Sequence, residues 1–326
     1  MEKTDKQLLK IDVHNFPRDA RWIRIMRSLN YFLLIHPFKG SGRLRKIVSK
    51  LMICTSKGPK IVSTKYGFDI ICMDPFHDKG VEISLFLYGT YEAGTLDIMK
   101  KCLRNGDIFI DVGANIGLMS IFASKIVGSK GLVYSFEPEP ETFLILKKNI
   151  EINSVRNIKI YNVGLGEKKG KSRIYTNPYA GRGSASLIKP VNQNNSKSYE
   201  IQIETLDNFV LEHNVTNVRM LKIDVEGWEL QVLKGAKNFL RSTNAPIICI
   251  EYSKLVNQPL NTHLPDIYNY ILKINDYRIY KLKYGKGRPS KLMEIKSIKD
   301  LPYHDNLFCF LPLHLKNLPK NMFVNS

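Results

Sequence analysis

Four largely apolar runs of this sequence end on carboxylates: Ile108-Phe109-Ile110-Asp111, Tyr134-Ser135-Phe136-Glu137, Leu221-Lys222-Ile223-Asp224 and Ile247-Ile248-Cys249-Ile250-Glu251. A carboxylate at the tip of a buried strand can bind hydroxyls or an ammonium group, or take up a proton. The first run opens into the small-residue turn Val112-Gly113-Ala114-Asn115-Ile116-Gly117. Gly113 permits a sharp reversal there, and Gly117 lets the start of the next helix pack close to the strand. The backbone N–H groups of such a turn are expected to face a ligand. Glu137, roughly 20 positions past the turn, is spaced to accept both hydroxyls of a ribose, and Pro138 stops its strand and fixes the carboxylate.

The turn is not the G-x-G-x-x-G string that cradles a dinucleotide pyrophosphate. S-adenosyl-L-methionine has no pyrophosphate, and its amino-acid end needs partners the turn can offer. Turn N–H groups suit its carboxylate, and Asp111 suits its ammonium, directly or through water. The methyl donor is therefore expected over Asp111 to Gly117.

The third run continues as Asp224-Val225-Glu226-Gly227-Trp228-Glu229. Alternation along an extended chain puts Asp224 and Glu226 on one side, where they could position a substrate hydroxyl or take its proton. Glu229 reads instead as a cap on the helix that follows. Asp224, Glu226 and Glu251 offer oxygen ligands for a divalent cation. That option ranks below a metal-free site, and no histidine in these motifs speaks for zinc.

Parallel strands must present these tips together. The runs Ile108–Val112, Leu132–Phe136, Ile158–Val163, Met220–Val225 and Ile247–Tyr252 alternate with helix-length segments at 117–127, 140–153 and 228–240. That rhythm predicts an α/β fold with a mostly parallel sheet covered on both faces. Tyr277–Leu282 and Leu307–Leu311 fit an antiparallel hairpin at one edge. Residues 176–199 are rich in turn formers, and are read as a lid near the substrate or a surface insertion.

Residues 1–80 are expected to be a basic, partly helical extension ahead of a catalytic domain at 81–326. Within it, Arg18, Arg21, Arg24 and Arg27 recur along one side of a helix, with Trp22, Ile25 and Leu29 on another. A helical cap on the main domain is the preferred reading, and an arm lying on a membrane surface or on a partner the alternative. The chain carries 49 basic against 30 acidic side chains, a net charge of +19. This favours non-specific solvation or attraction of anions over a nucleic-acid platform, because the basic stretches lack the aromatic spacing that stacks bases. Five scattered cysteines (Cys54, Cys72, Cys102, Cys249, Cys309) form no C-x-x-C pair. With no apolar run long enough to span a bilayer and no signal-like start, the expected location is cytoplasmic, peripheral to the membrane if the arm engages it.

Taken together, Asp111-Val-Gly-Ala-Asn-Ile-Gly, Phe136-Glu137-Pro138, Asn162-Val-Gly-Leu-Gly and Lys222-Ile-Asp-Val-Glu-Gly-Trp-Glu resemble the FkbM family of methyltransferases. The resemblance runs over roughly residues 85–255. Tyr91-Glu92 and Thr205-Leu206-Asp207 also fit its pattern. It implies a Rossmann-like class I methyltransferase fold with a seven-stranded sheet, and S-adenosyl-L-methionine as donor. It also implies an acceptor hydroxyl on a sugar, glycan, glycolipid or small metabolite. Cofactor contacts are then expected from Glu92, Asp111, Gly113, Ala114, Asn115, Gly117, Glu137, Pro138 and Asp224, with Asn162, Val163 and Gly164 by the adenine. Asp224 is expected as the base, with Glu226 second. A nucleic-acid (RNA) methyltransferase is the alternative, but no Asn-Pro-Pro-Tyr or Asp-Pro-Pro-Tyr string and no Pro-Cys supports it. A nicotinamide-dependent oxidoreductase ranks lower still, without a Tyr-x-x-x-Lys pair on a helix.

Overall fold

The computed structural model describes residues 16–55, 58–73, 75–76, 80–176, 185–187, 197–253 and 265–324. It opens with helices α1 (Arg21–Ile35) and α2 (Ser41–Cys54), a small antiparallel pair β1 (Lys60–Ser63) and β2 (Asp69–Cys72), then α3 (Val81–Tyr88) and α4 (Ala93–Cys102). The alternating part follows: β3 (Ile108–Val112), α5 (Leu118–Val127), β4 (Leu132–Phe136), α6 (Pro140–Ile152) and β5 (Ile158–Tyr161). A three-stranded sheet of β6 (Gly164–Leu165), β7 (Gly170–Tyr175) and β8 (Ser198–Glu204) leads to α7 (Leu206–Glu212). The chain then runs through β9 (Val218–Ile223), α8 (Glu229–Gly235), α9 (Lys237–Arg241), β10 (Ile247–Ser253) and α10 (Pro265–Ile274). It finishes with β11 (Arg278–Leu282), β12 (Leu292–Glu294), β13 (His304–Phe310) and α11 (Pro312–Lys316).

The main sheet has the order β12-β11-β13-β10-β9-β3-β4-β5. It holds eight strands rather than the seven expected. The additional one is β12, three residues paired antiparallel to β11 at the edge. The predicted late pair is present, and β13 lies between β10 and β11, antiparallel to both. Strands β5, β4, β3, β9 and β10 are parallel.

Alternation explains why both faces are covered. Phe109, Val133, Met220 and Cys249 enter one core, while Ile110, Tyr134, Leu221 and Ile250, their chain neighbours, enter the other. Each such side chain taken fully out of water contributes about 1.5–3 kcal/mol. Helices α4 and α5 cover the first face, and α7, α8 and α10 the second. From β3 the chain builds outward through β4 and β5, then returns to add β9 and β10 on the other side. The reversal leaves a crevice at the carboxyl ends of β3 and β9, where open α/β sheets bind ligands.

Residues ahead of 80 pack into the first core, which includes Ile23, Val48, Met52, Val62 and Ile70. Here the expected alignment of Arg18, Arg21, Arg24 and Arg27 along one side of a helix is corrected, since the helix begins at Arg21 and Arg27 turns inward. Arg27 is 4% exposed, donating to Asp19 at 2.6 Å and to the Phe86 carbonyl at 2.8 Å. One helical turn past Ile23, it lies on the buried side of α1, leaving Arg18, Arg21 and Arg24 on the surface. No helix among the described residues is long and apolar enough to cross a membrane. Of the predicted 176–199 loop, residues 177–184 and 188–196 lie outside the described residues.

Candidate functional site

Two turns meet in the crevice. The first, at the end of β3, is held from below: the N–H groups of Gly113 and Ala114 donate to the Phe136 carbonyl at 3.0 and 2.9 Å. Asn115 N–H donates to Glu137 Oε2 at 2.8 Å, and Gly117 N–H to the Ala114 carbonyl at 2.9 Å. The turn N–H groups expected to face a ligand are therefore already engaged within the protein. Asn115 and both glycines have positive φ. A Cβ on Gly113 would stand 1.8 Å from the Asp224 carbonyl oxygen, so the two strand ends touch where only glycine fits. A Cβ on Gly117 would meet Leu146 of α6 at 2.5 Å, so its close packing is against that helix and not against the strand as expected.

Asp111 lies behind this turn, fully buried, with Oδ2 accepting from Ser120 at 2.6 Å. Ser135 in turn donates to Ser120. Burial pushes the Asp111 carboxyl up, against the opposing pull of Lys222, its register partner on β9. Its Oδ1 is buried without a partner. Glu137 lines the cavity, with Oε1 accepting from Glu139 N–H at 2.9 Å. Desolvation pushes its carboxyl up to about 8. The adjoining helix α6 is set by Pro140 in its first turn and by the Glu139 side chain, which caps Glu141 and Thr142 N–H.

The second turn gathers charge. Asp224 Oδ2 pairs with Lys222 Nζ at 2.8 Å. Beside it, Lys286 Nζ bridges Glu92 at 2.8 Å and Glu251 at 2.5 Å. Burial alone would raise the Asp224 carboxyl, but the Lys222 and Lys286 ammoniums outweigh it and hold the group below the ordinary aspartate range. Burial, reinforced by the charges of Asp224 and Glu229, pushes Glu226 up to about 8. Glu226 sits at φ 52°, a strained value for a side-chain-bearing residue, and its carbonyl accepts from Ser186 Oγ at 2.8 Å. Glu229 Oε1 accepts from Val225 and Gly227 N–H at 3.1 and 3.0 Å, at the first turn of α8.

Of the residues expected at the site, Gly113, Ala114, Asn115, Glu137, Pro138, Val163, Gly164, Asp224 and Glu226 line one cavity. Asp111 and Gly117 stand just behind it. Asn162 turns away, its amide donating to the Glu137 and Pro138 carbonyls at 2.8 and 3.1 Å, so it shapes the loop from outside. Glu92 belongs to the charge cluster, with Asn306 donating to its Oε2 at 2.7 Å. The oxygens of Glu92, Asp224 and Glu251 lie within 4.8 Å of one another; Glu226, named in the sequence-derived trio, is not in that group. The Lys286 ammonium supplies the cation bridging two of them.

Sequence reasoning passed over Lys222, Lys286 and Trp228. Lys222 was findable, since two positions before Asp224 it shares that residue's side of the extended chain. Lys286 comes from the connection after β11 and carried no local signal. Trp228 lines the cavity, and its buried indole N–H has no partner. Ile174, Ala185 and Leu187 bring apolar surface to the same cavity from the small sheet and the segment after it.

The model of the methyltransferase FkbM domain matches residues 111–279, slightly more than half of the chain. The hexuronic acid methyltransferase AglP of Haloferax volcanii is 31% identical over 160 residues, which are 48% of this chain and 62% of that protein. Methyltransferase 1 of Beauveria bassiana is 29% identical over 143 residues (39% and 57%). The 31-O-demethyl-FK506 methyltransferase FkbM of Streptomyces tacrolimicus is 28% identical over 162 residues (42% and 62%). The chain thus spans about three-fifths of the length of these curated relatives. With its two turns, Glu137 and the charged cluster all inside or beside the matched segment, the chain belongs to the FkbM methyltransferase family.

Proposed function

We propose that this protein transfers a methyl group from S-adenosyl-L-methionine to a hydroxyl of a sugar, glycan, glycolipid or related metabolite, with residues 81–326 carrying the reaction. The observation carrying this reading is a single cavity lined together by Glu137, Asp224 and Glu226. Glu137 suits the ribose of a nucleoside, and Asp224 and Glu226 a reacting hydroxyl. The name of the Streptomyces relative supports an oxygen acceptor, and that of the Haloferax relative a sugar acid.

The residues present fit the cofactor. Glu137 retains carboxylate lone pairs for ribose hydroxyls, and Phe136, Val163 and Leu165 offer apolar surface to a purine. The Trp228 indole N–H, in the cavity lining, is an unpartnered buried donor that a polar ligand or its waters would satisfy. With the turn N–H groups engaged, the amino-acid carboxylate falls to the N-terminus of α5. Leu118 and Met119 line the cavity there, and the first N–H groups of a helix lack intrahelical partners.

When bound, the cofactor supplies a methyl group on a positively charged sulfur that leaves readily. The chain's own residues supply alignment and a proton acceptor. Asp224, held ionised by Lys222 and Lys286, orients the acceptor hydroxyl. Glu226 takes its proton as the oxygen–carbon bond forms and the carbon–sulfur bond breaks. A base titrating near the working pH is better matched to this than one held well below it. A cationic sulfur nearby would favour the ionised form of Glu226. The base expected at Asp224 is thus reassigned to Glu226, the second choice, and Asp224 keeps a positioning role.

Calorimetric titration with S-adenosyl-L-methionine and with a nicotinamide dinucleotide tests the donor, and only the former should bind. Labelled donor incubated with glycan and lipid extracts, followed by mass spectrometry, tests the acceptor. An O-methylated sugar or hydroxylated metabolite is expected. Label confined to nucleic-acid bases, or binding of the dinucleotide instead, would overturn the proposal.

A further inference from the structure

The helices α1 and α2 each leave an apolar stripe uncovered. On α1, Trp22, Ile25, Leu29 and Phe32 are 40, 57, 37 and 52% exposed. Their three- and four-residue spacing aligns them along one side of the helix. On α2, Leu44, Ile47 and Leu51 repeat the arrangement at 40, 58 and 55%, and Phe38 in the connection is 56% exposed. The other sides, with Ile23, Val48 and Met52, are the ones packed into the core. The stripes are therefore not needed to hold the helices on the domain.

Charge identifies what would cover them. Arg21, Arg24, Lys39, Arg43, Lys46 and Lys50 are exposed on the same two helices and their connection. Between residues 16 and 55 the sole acidic residue is Asp19, buried against Arg27. The exposed surface is thus apolar stripes flanked by cations, with no exposed carboxylate. A second copy meeting this face by two-fold symmetry would set cation against cation, in a chain already at +19. A nucleic acid would answer the cations and leave the apolar stripes in water. An anionic bilayer answers both, since apolar side chains enter the acyl boundary while lysine and arginine stay among the headgroups.

We propose that the α1–α2 pair docks this protein on the surface of an anionic lipid bilayer. The site and the docking face are physically linked. Arg288 donates to the Ile35 carbonyl at the end of α1 at 2.8 Å, and lies in the same connection as Lys286, which reaches Glu92 and Glu251.

Co-sedimentation of the whole chain with vesicles tests the inference, independently of any methyl transfer. Binding is expected to vesicles of equal parts phosphatidylcholine and phosphatidylglycerol, to weaken with salt, and to be slight on phosphatidylcholine alone. The double variant Lys46→Glu, Lys50→Glu should lose about fivefold or more in affinity per site. The double variant Ile25→Ser, Ile47→Ser should lose at least about tenfold. All four positions are exposed, so both variants should keep the parent's thermal midpoint. Equal binding to neutral and anionic vesicles, or none to either, would refute the proposal. So would lipid-free self-association abolished by the isoleucine variant, or binding of an RNA oligomer with no binding to vesicles.

Discussion

The two turns that meet in the crevice start from adjacent parallel strands and share a plan. Each follows an apolar strand with an acidic residue and then takes the backbone through positive φ, at Gly113, Asn115 and Gly117 in one and at Glu226 and Gly227 in the other. They use that plan for opposite ends. The Asp111–Gly117 turn directs its N–H groups inward to Phe136 and Glu137, and its one carboxyl is buried where desolvation favours the neutral form. It is a rigid, nearly uncharged shelf. At the Asp224–Gly227 turn, Lys222 and Lys286 hold Asp224 down, while burial and the charges of Asp224 and Glu229 push Glu226 up. Shape is thus the business of the first turn and proton chemistry of the second.

The largest expected effect is the one that breaks the contact between them. Gly113→Ala would force a methyl group onto the Asp224 carbonyl from a backbone held at φ 80°. We expect more than about 3 kcal/mol of lost stability, read by denaturant unfolding, with donor binding lost as well. A near-wild-type midpoint would mean that the turns can separate without harm.

Asp224→Asn leaves the shelf untouched and keeps an oxygen for Lys222. Turnover should fall by about a thousandfold, roughly 4 kcal/mol in the barrier, while donor affinity stays within about threefold. Turnover near the wild-type level would remove Asp224 from the chemistry. An equal loss of donor affinity would move it to the shelf side of the comparison.

Glu226→Gln separates the two carboxyls more finely. With its carboxyl pushed up to about 8, Glu226 must lose a proton to act as base, so wild-type kcat/KM should rise as the pH passes through about 8. The glutamine variant should lose that rise along with most of its rate. The same shift bears on stability, with a definite sign. The folded chain keeps this proton above the ordinary value of 4.5, so its contribution is full below about 4.5 and fades as pH rises to about 8. Thermal midpoints of the variant should therefore decline less steeply across that interval. Identical pH profiles for both proteins would return the proton to another group.

Much of this was legible in the sequence because its signals were local. A strand running into Gly113, a carboxylate at Glu137 and a pair at Asp224 and Glu226 are all matters of spacing over a few residues. The parallel sheet followed from the recurrence of such runs. What was missed was non-local or weakly patterned. The small sheet of β6, β7 and β8 buries only Ile174, Ile201 and Ile203 in its own cluster, too few to announce it among polar neighbours. Arg27 reads by spacing as one of four arginines along one helix side, yet a buried carboxylate eight residues earlier and a carbonyl far along the chain take it inside.

The sequence by itself determined the strand tips, the need for glycine at 113 and the family. Those rest on backbone sterics and on the order of short motifs, which a linear chain carries in full. Only the tertiary structure decided that the turn N–H groups are already engaged, that Lys286 reaches back to Glu92 and Glu251, and that Asp224 and Glu226 differ in acidity. Those depend on desolvation and on charges brought together from distant segments, and no spacing along the chain encodes such distances.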